Sequence, residues 1–184
     1  MRVLVIGANG QVGREVVERL LPIESITLQL LTRDKLDLTK THLIQQILDK
    51  YDIDCLINCS AYTAVDKAEE EQNVADAINH LAVKEMALWA KNNKIPLIHL
   101  STDYVFDGDA TKAYIEEDTP NPITVYGKTK LLGEQAILES GTKAIILRVS
   151  WVFGRYGNNF VKTILSLAKT KTELSIVADQ IGCP

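Results

Sequence analysis

Short apolar runs recur along this chain at spacings that leave room for a helix between them, and that alternation constrains the fold more than any other feature. The runs are Arg2–Ile6, Ile26–Leu31, Cys55–Asn58, Pro96–Ser101, Ala144–Ser150 and Leu174–Val177. Most are apolar at consecutive positions instead of every second one, so both faces of each strand need cover. That pattern belongs to a parallel sheet buried between helices. Segments of helical period fill the gaps at Gln11–Leu21, Lys40–Lys50, Asn73–Asn92, Thr124–Ser140 and Asn159–Thr170. Each is long enough for a right-handed crossover between parallel neighbours. The expected fold is therefore α/β, a doubly wound parallel sheet.

A length of 184 residues allows one domain, residues 1–184, with at most a small annex. With 46% apolar and 24% charged residues, intrinsic disorder is excluded. Twenty Lys and Arg against 24 Asp and Glu give a net charge of −4, with no long basic run, which excludes a general binder of nucleic acid or of anionic membranes. No apolar stretch approaches the ~20 residues that span a bilayer. Met1-Arg2 leads straight into a strand, so the expected location is the cytoplasm. Cys55, Cys59 and Cys183 are odd in number, which fits a reducing compartment. His42, His80 and His99 are scattered, so packing is expected for these and the cysteines, and no metal site is assigned.

The first strand runs directly into Gly7-Ala8-Asn9-Gly10-Gln11-Val12-Gly13 and then into a helix. In this order Gly7 permits a tight turn, Gly10 lets a pyrophosphate approach the backbone, and Gly13 lets the helix lie close to the sheet. A plain glycine-rich turn is the bland alternative, but the position after the first strand favours a dinucleotide site of the Rossmann type. At the end of the second strand, Thr32 and Arg33 suit a ribose 2′-phosphate and so favour NADP(H). Asp34 beside them leaves NAD(H) open.

Tyr126 and Lys130 stand four residues apart near the start of a helix, with Asn121 and Pro122 as start signals. That spacing is ~6 Å of rise and about 40° of rotation, so both side chains point the same way. An ammonium at Lys130 would lower the pKa of the Tyr126 phenol and suit it to proton transfer. Thr102 ends the fourth strand at the same edge as the glycine turn and can hydrogen-bond a substrate oxygen. The segment Phe106–Asn121 reads as a long loop at that edge, on the substrate side.

Together with these, the strings Ala61-Tyr62-Thr63-Ala64-Val65-Asp66-Lys67-Ala68-Glu69, Ser101-Thr102-Asp103-Tyr104-Val105-Phe106, Tyr126-Gly127-Lys128-Thr129-Lys130 and Ser150-Trp151-Val152-Phe153-Gly154 carry a resemblance. The chain resembles the dTDP-4-dehydrorhamnose reductase family of extended short-chain dehydrogenase/reductases. The resemblance implies NADPH- or NADH-dependent reduction of the C4 ketone of dTDP-4-dehydro-β-L-rhamnose, the last step toward dTDP-rhamnose for surface polysaccharide. It implies Tyr126 as general acid, Lys130 on the nicotinamide ribose and Thr102 on the C4 oxygen. Cofactor contacts are implied for Gly10, Gln11, Val12, Asp37, Leu38, Ala61, Tyr62 and Thr63, and substrate contacts for Asp103 and Trp151. Tyr104 is read as packing, and Asp66–Glu71 as a solvated, helix-forming charge run. Glu15 matches a position some members use for Mg²⁺ at a dimer contact, so a homodimer is open and the metal is not assigned. Family members continue past the Asp179-Gln180-Ile181-Gly182-Cys183-Pro184 string into a C-terminal substrate lobe, which is expected to be largely absent here. An epimerase or dehydratase of the same superfamily would share the glycine turn and the Tyr/Lys pair without net NADPH consumption. A non-catalytic, NADP-binding regulatory subunit would keep the fold without turnover.

Overall fold

The structure is a computed structural model that describes residues 1–177, 179, 180 and 182. Five strands form one sheet: β1 (Arg2–Ile6), β2 (Thr27–Leu31), β3 (Cys55–Asn58), β4 (Leu97–Thr102) and β5 (Ala144–Val149). They pair in the order β2-β1-β3-β4-β5, and every neighbouring pair is parallel. The order reverses between β1 and β3, and in such sheets the crevice beyond the carboxyl ends of the strands at that point is where ligands bind. The register aligns Ile6 with Asn58, and Asn58 with His99, so three strands end at one edge.

Alternate residues of the strands feed two cores, as the two-residue period of a strand requires. Leu4, Ile6, Leu31, Leu56 and Leu97 pack on one face with Val83, Met86 and Trp89 of α5 (Ala82–Asn93) and Ile137 of α6 (Val125–Ser140). Val3, Val5 and Cys55 pack on the other with Val16, Val17 and Leu20 of α1 (Gln11–Leu20). Each face is covered near β1 and β3, which explains why the strands are apolar at consecutive positions. Cover thins toward β5: Ile145 and Leu147, in register with Ile98 and Leu100, are 56% and 45% exposed.

Several expected elements differ in detail. Lys40–Lys50 is not one helix but a 3₁₀ turn, Thr41–Leu43, running into the short α2, Ile44–Leu48. The charge run forms α3 (Val65–Glu70), and its Ala68 is fully buried, so the segment docks by a small residue while its acids face outward. Asn73–Asn92 begins at Gln72 as α4 (Gln72–Asp76) and passes through a π-helical segment, Ala77–Leu81, into α5. The start of α6 is capped by Thr124, whose Oγ1 accepts the Gly127 N–H at 3.0 Å, whereas Asn121 instead donates to Asp107 Oδ2 at 3.0 Å. Asn159–Thr170 forms the shorter α7, Phe160–Leu167. Leu174–Val177 forms no strand. A strand needs a neighbour for its ladder, and this run lies exposed, with Ile176 and Val177 54% and 67% accessible. Phe106–Asn121 lacks regular secondary structure beyond turns and bends, as expected, but is organised: the Phe106 and Tyr114 rings stack at 4.2 Å, and Tyr114 donates its hydroxyl to Asp107 Oδ1 at 2.6 Å. Of the residues singled out above, Ile181, Cys183 and Pro184 lie outside the described residues.

Candidate active site

A cleft of about 820 Å³ opens at the carboxyl edge of the sheet. The glycine turn forms one wall. Gly7 has φ +75°, and a Cβ there would meet Ser60 N at 2.8 Å, so the turn from β1 tolerates only glycine without rearrangement. A Cβ on Gly13 would lie 2.1 Å from Gly7 O, so α1 can press against the turn only because no side chain intervenes. Gly10 caps α1 without any side-chain hydrogen bond, which leaves the first-turn N–H groups free of a capping oxygen. Gly7, Gly10, Gln11 and Val12 line the cleft; Gly13 supports it from behind.

Thr32, Arg33, Asp37 and Leu38 border the far end of the cleft, and Asp34 is not part of its lining. The Thr32 hydroxyl instead donates to Asp34, which holds that carboxyl below its usual value. Asp37 accepts from Thr39 Oγ1 at 2.7 Å and Thr39 N at 3.1 Å, so it too is held below the usual range, chiefly by the Thr39 hydroxyl. Arg33 is exposed beside them.

The loop after β3 carries Ala61, Tyr62 and Thr63 along the middle of the cleft. It is held from below by Asn79, a buried residue in the π-helical segment. Asn79 Oδ1 accepts Tyr62 N–H at 2.9 Å, while its Nδ2 donates to Tyr62 O at 3.1 Å and to Thr129 Oγ1 at 3.2 Å. The wider turn of the π segment is a known device for placing a side chain at a working site. Tyr62 donates its hydroxyl to Glu71 Oε2 at 2.6 Å, and Glu69 Oε1 accepts the Val125 N–H at 2.8 Å. The acids read as a solvated face thus tie the α3 region to the cleft and to the start of α6. Charge composition gave no sign of those partners.

Thr102, Asp103, Tyr126, Lys130 and Trp151 all line the same cleft. Thr102 Oγ1 donates to Asp103 Oδ1 at 3.1 Å and accepts the Tyr104 N–H at 3.2 Å. Burial raises the Tyr126 pKa above its usual value; the nearby Thr102 hydroxyl opposes this, and Asp103 and Tyr104 add to it. The lowering expected from an ammonium at Lys130 does not occur. Lys130 is 1% exposed, and its Nζ donates to Leu100 O at 2.6 Å and lies 3.2 Å from His99 Nε2. Burial also draws Lys130 itself down to about 8. Asp103, at the exposed rim, is pushed up by desolvation. Tyr104 packs edge-on against the Tyr126 ring, 5.5 Å between centroids, and fixes the plane of the phenol. Trp151, at φ 48°, follows β5 and stands edge-on to Phe160.

Glu15 faces away from this constellation, accepting Arg155 N–H at 2.9 Å, and among the described residues no three His, Cys, Asp or Glu side chains cluster as a metal site would need. No helix among the described residues is long and apolar enough to cross a membrane. Residues not singled out from the sequence also shape the site. Asn58 and His99 are buried beneath it, and Ser101 Oγ, buried in its lining, has no hydrogen-bond partner among the described residues.

A family model described as the RmlD substrate binding domain matches residues 1–184. The chain belongs to this family. Curated relatives of this RmlD-family chain include the dTDP-4-dehydrorhamnose reductases of Aggregatibacter actinomycetemcomitans, 44% identical over all of this chain and 62% of the relative, and of Sinorhizobium fredii, 45% identical over all of this chain and 62% of the relative. The RmlD-family chain thus spans about 62% of the length of these curated relatives. A crystal structure of dTDP-4-dehydrorhamnose reductase from Bacillus anthracis in complex with NADP superposes with a TM-score of 0.91 at 41% identity, covering 96% of this chain and 63% of that one. UDP-glucose 4-epimerase from Thermus thermophilus, 19% identical with a TM-score of 0.77 over 91% of this chain and 61% of its own, shares the fold.

Proposed function

We propose that this RmlD-family chain carries the NADPH site and the proton-transfer machinery of a dTDP-4-dehydrorhamnose reductase. The observation that carries the reading is the convergence of the glycine turn, Arg33, Thr102, Tyr126 and Lys130 on one cleft, in a chain about 44% identical to named reductases along its whole length. The cleft fits a dinucleotide. The uncapped first turn of α1 offers N–H groups to a pyrophosphate, Arg33 offers a guanidinium to a ribose phosphate, and Ser101 Oγ is a buried hydroxyl awaiting a partner. Asp34, occupied by Thr32, leaves the 2′-phosphate reading favoured over the ribose diol of NADH.

When bound, NADPH supplies the hydride to C4 of the sugar. Tyr126 supplies the proton. Because burial holds its phenol above the usual pKa, it stays protonated at neutral pH, which is the state a general acid must begin from. Thr102, which lines the same cleft, shares the oxygen on which charge develops. Tyr104 keeps the phenol in one orientation, and Lys130, at the cleft floor, reaches the ribose side. Asp103 and Trp151 at the rim meet the sugar nucleotide. The rest of the sugar's enclosure belongs to a C-terminal lobe of the kind the longer relatives have room for. A cytoplasmic location accords with the free thiols Cys55 and Cys59.

The test is NADPH oxidation with dTDP-4-dehydrorhamnose, with the product analysed. It is run on the chain alone and on the chain extended by the C-terminal residues of the Aggregatibacter relative. The expected result is stoichiometric NADPH loss and dTDP-rhamnose in at least the extended form. An altered sugar without NADPH loss would replace the reading with an epimerase or dehydratase, and tight NADPH binding without turnover in either form would replace it with a regulatory subunit.

A further inference from the structure

Behind the cleft, one ion pair touches each element that carries the proton-transfer groups. Helix α6 presents Tyr126 and Glu134 two turns apart in one row, at four-residue steps through Lys130. Glu134 is 3% exposed and accepts from Arg148 of β5 through two parallel bonds, Nε to Oε1 at 3.0 Å and Nη2 to Oε2 at 2.7 Å. A planar fork against a buried carboxylate fixes the spacing of helix and strand and leaves the guanidinium in one plane. That plane is used a second time. The guanidinium lies over the Phe106 ring, 5.0 Å from its centroid, and the Tyr114 ring stacks on Phe106 at 4.2 Å with the planes 8° apart.

Phe106 closes the 3₁₀ turn Asp103–Val105 that follows Thr102. Its N–H donates to Asp103 O at 2.9 Å, the Thr102 hydroxyl caps the other end, and Val105 between them is fully buried. Thr102 to Phe106 is therefore one piece, tied at both ends. This piece is pressed on the first turn of α6. A Cβ on Gly127 would lie 2.2 Å from Tyr104 O, so backbone meets backbone there, and the Tyr104 ring stands edge-on to that of Tyr126. Gly127 seats the turn on one side and Arg148 seats it, through Phe106, on the other. We propose that Arg148, fixed by Glu134, is a positioning residue that seats the Thr102–Phe106 turn against α6 and so sets Thr102 and Tyr126 for proton transfer. The transfer rests on the reductase reading; the seating does not.

Neither Arg148 nor Glu134 lines the cleft, and no described residue from 106 to 121 does, so these groups reach the site only through the turn. The loop beyond Phe106 has its own supports. The Tyr114 hydroxyl accepts the N–H groups of Gly108 at 3.0 Å and Ala110 at 3.2 Å while donating to Asp107, which Asn121 also engages. The loop thus holds the Tyr114 ring in place behind Phe106, and Phe106 is where it bears on the rest of the fold.

Two variants cut this linkage at different points. Arg148→Lys keeps a cation beside Glu134 but loses the fork and the flat face over Phe106. Phe106→Leu keeps the ion pair and removes the ring. Both are followed by NMR of the tyrosine-labelled chain without cofactor or sugar, by NADPH titration, and by turnover in the form of the chain that is active. The expected result is loss of the Tyr104–Tyr126 ring contact in each, NADPH affinity within about twofold, and kcat lowered roughly 10- to 100-fold. The double variant should fall little further, since both changes break one linkage. A pair that only holds the fold together would lower the urea midpoint while leaving the ring contact and kcat of the folded protein unmoved, and that outcome would overturn the proposal, as would losses that multiply in the double variant. If Arg148→Lys does not fold, Phe106→Leu decides, because it leaves the buried carboxylate paired. If the unsubstituted chain turns nothing over, the reductase reading fails and the ring contact alone decides the seating.

Discussion

Replacing Lys130 by Met tests the electrostatics of the cleft floor through stability. Lys130 is 1% exposed, and its pKa falls from 10.5 to about 8 on folding. At ~1.4 kcal/mol per tenfold change in proton affinity, the drop corresponds to about 3 kcal/mol of stability withheld while the unfolded lysine is charged. The sign follows from proton counting. Between pH 8 and 10.5 the unfolded chain holds more protons at this residue than the folded one, so the unsubstituted chain gains stability as pH rises there. Lys130→Met has no such group. Its stability relative to the unsubstituted chain should be most favourable below pH 8 and should lose about 3 kcal/mol of that advantage by pH 10.5. The lost hydrogen bond to Leu100 O costs about 1 kcal/mol at either pH and does not alter the difference. Urea unfolding of both proteins at the two pH values, followed by circular dichroism, measures it. Parallel stability curves would refute the reasoning, because a lysine with an ordinary pKa adds no such slope.

Other substitutions probe separate parts of the account. Tyr126→Phe should keep NADPH affinity within about twofold and lower turnover by roughly 10² to 10⁴, read by fluorescence titration beside the absorbance assay; full activity would remove the phenol from proton donation. Arg33→Ala should weaken NADPH binding by roughly tenfold or more and leave NADH binding nearly unchanged, and equal losses would place the guanidinium away from the 2′-phosphate. Gly13→Ala puts a Cβ 2.1 Å from Gly7 O, so it should destabilise the fold by roughly 1–3 kcal/mol in urea unfolding and weaken NADPH binding; an unchanged midpoint would contradict the close packing of α1 on the turn.

The central strands were legible because their information is local. Val3, Leu4, Val5 and Ile6 are apolar at every position, and the observed β1, Arg2–Ile6, has the bounds that pattern implies. The glycine turn was legible for the same reason, since Gly7, Gly10 and Gly13 each answer a backbone requirement within one turn. What escaped depends on contacts distant in sequence. Leu174–Val177 has the composition of a strand, but pairing requires an edge beside it, which composition does not supply. The π segment at Ala77–Leu81 shifts hydrogen-bond register without changing the apolar rhythm. Lys130 carries the sharpest lesson. Its spacing from Tyr126 correctly puts both on one cleft, yet the partner of its Nζ is His99, 31 residues away in sequence. An ionisable residue inside the apolar run Leu97–Leu100 was the available signal, and in isolation it reads as packing.

Transfer of deuterium from NADPH labelled at C4 of the nicotinamide to dTDP-4-dehydrorhamnose tests the central claim most directly. The account requires one deuterium at C4 of the dTDP-rhamnose formed for each NADPH consumed, and loss of that label with Tyr126→Phe. A transformed sugar without deuterium at C4, or one formed with the NADPH intact, would contradict it.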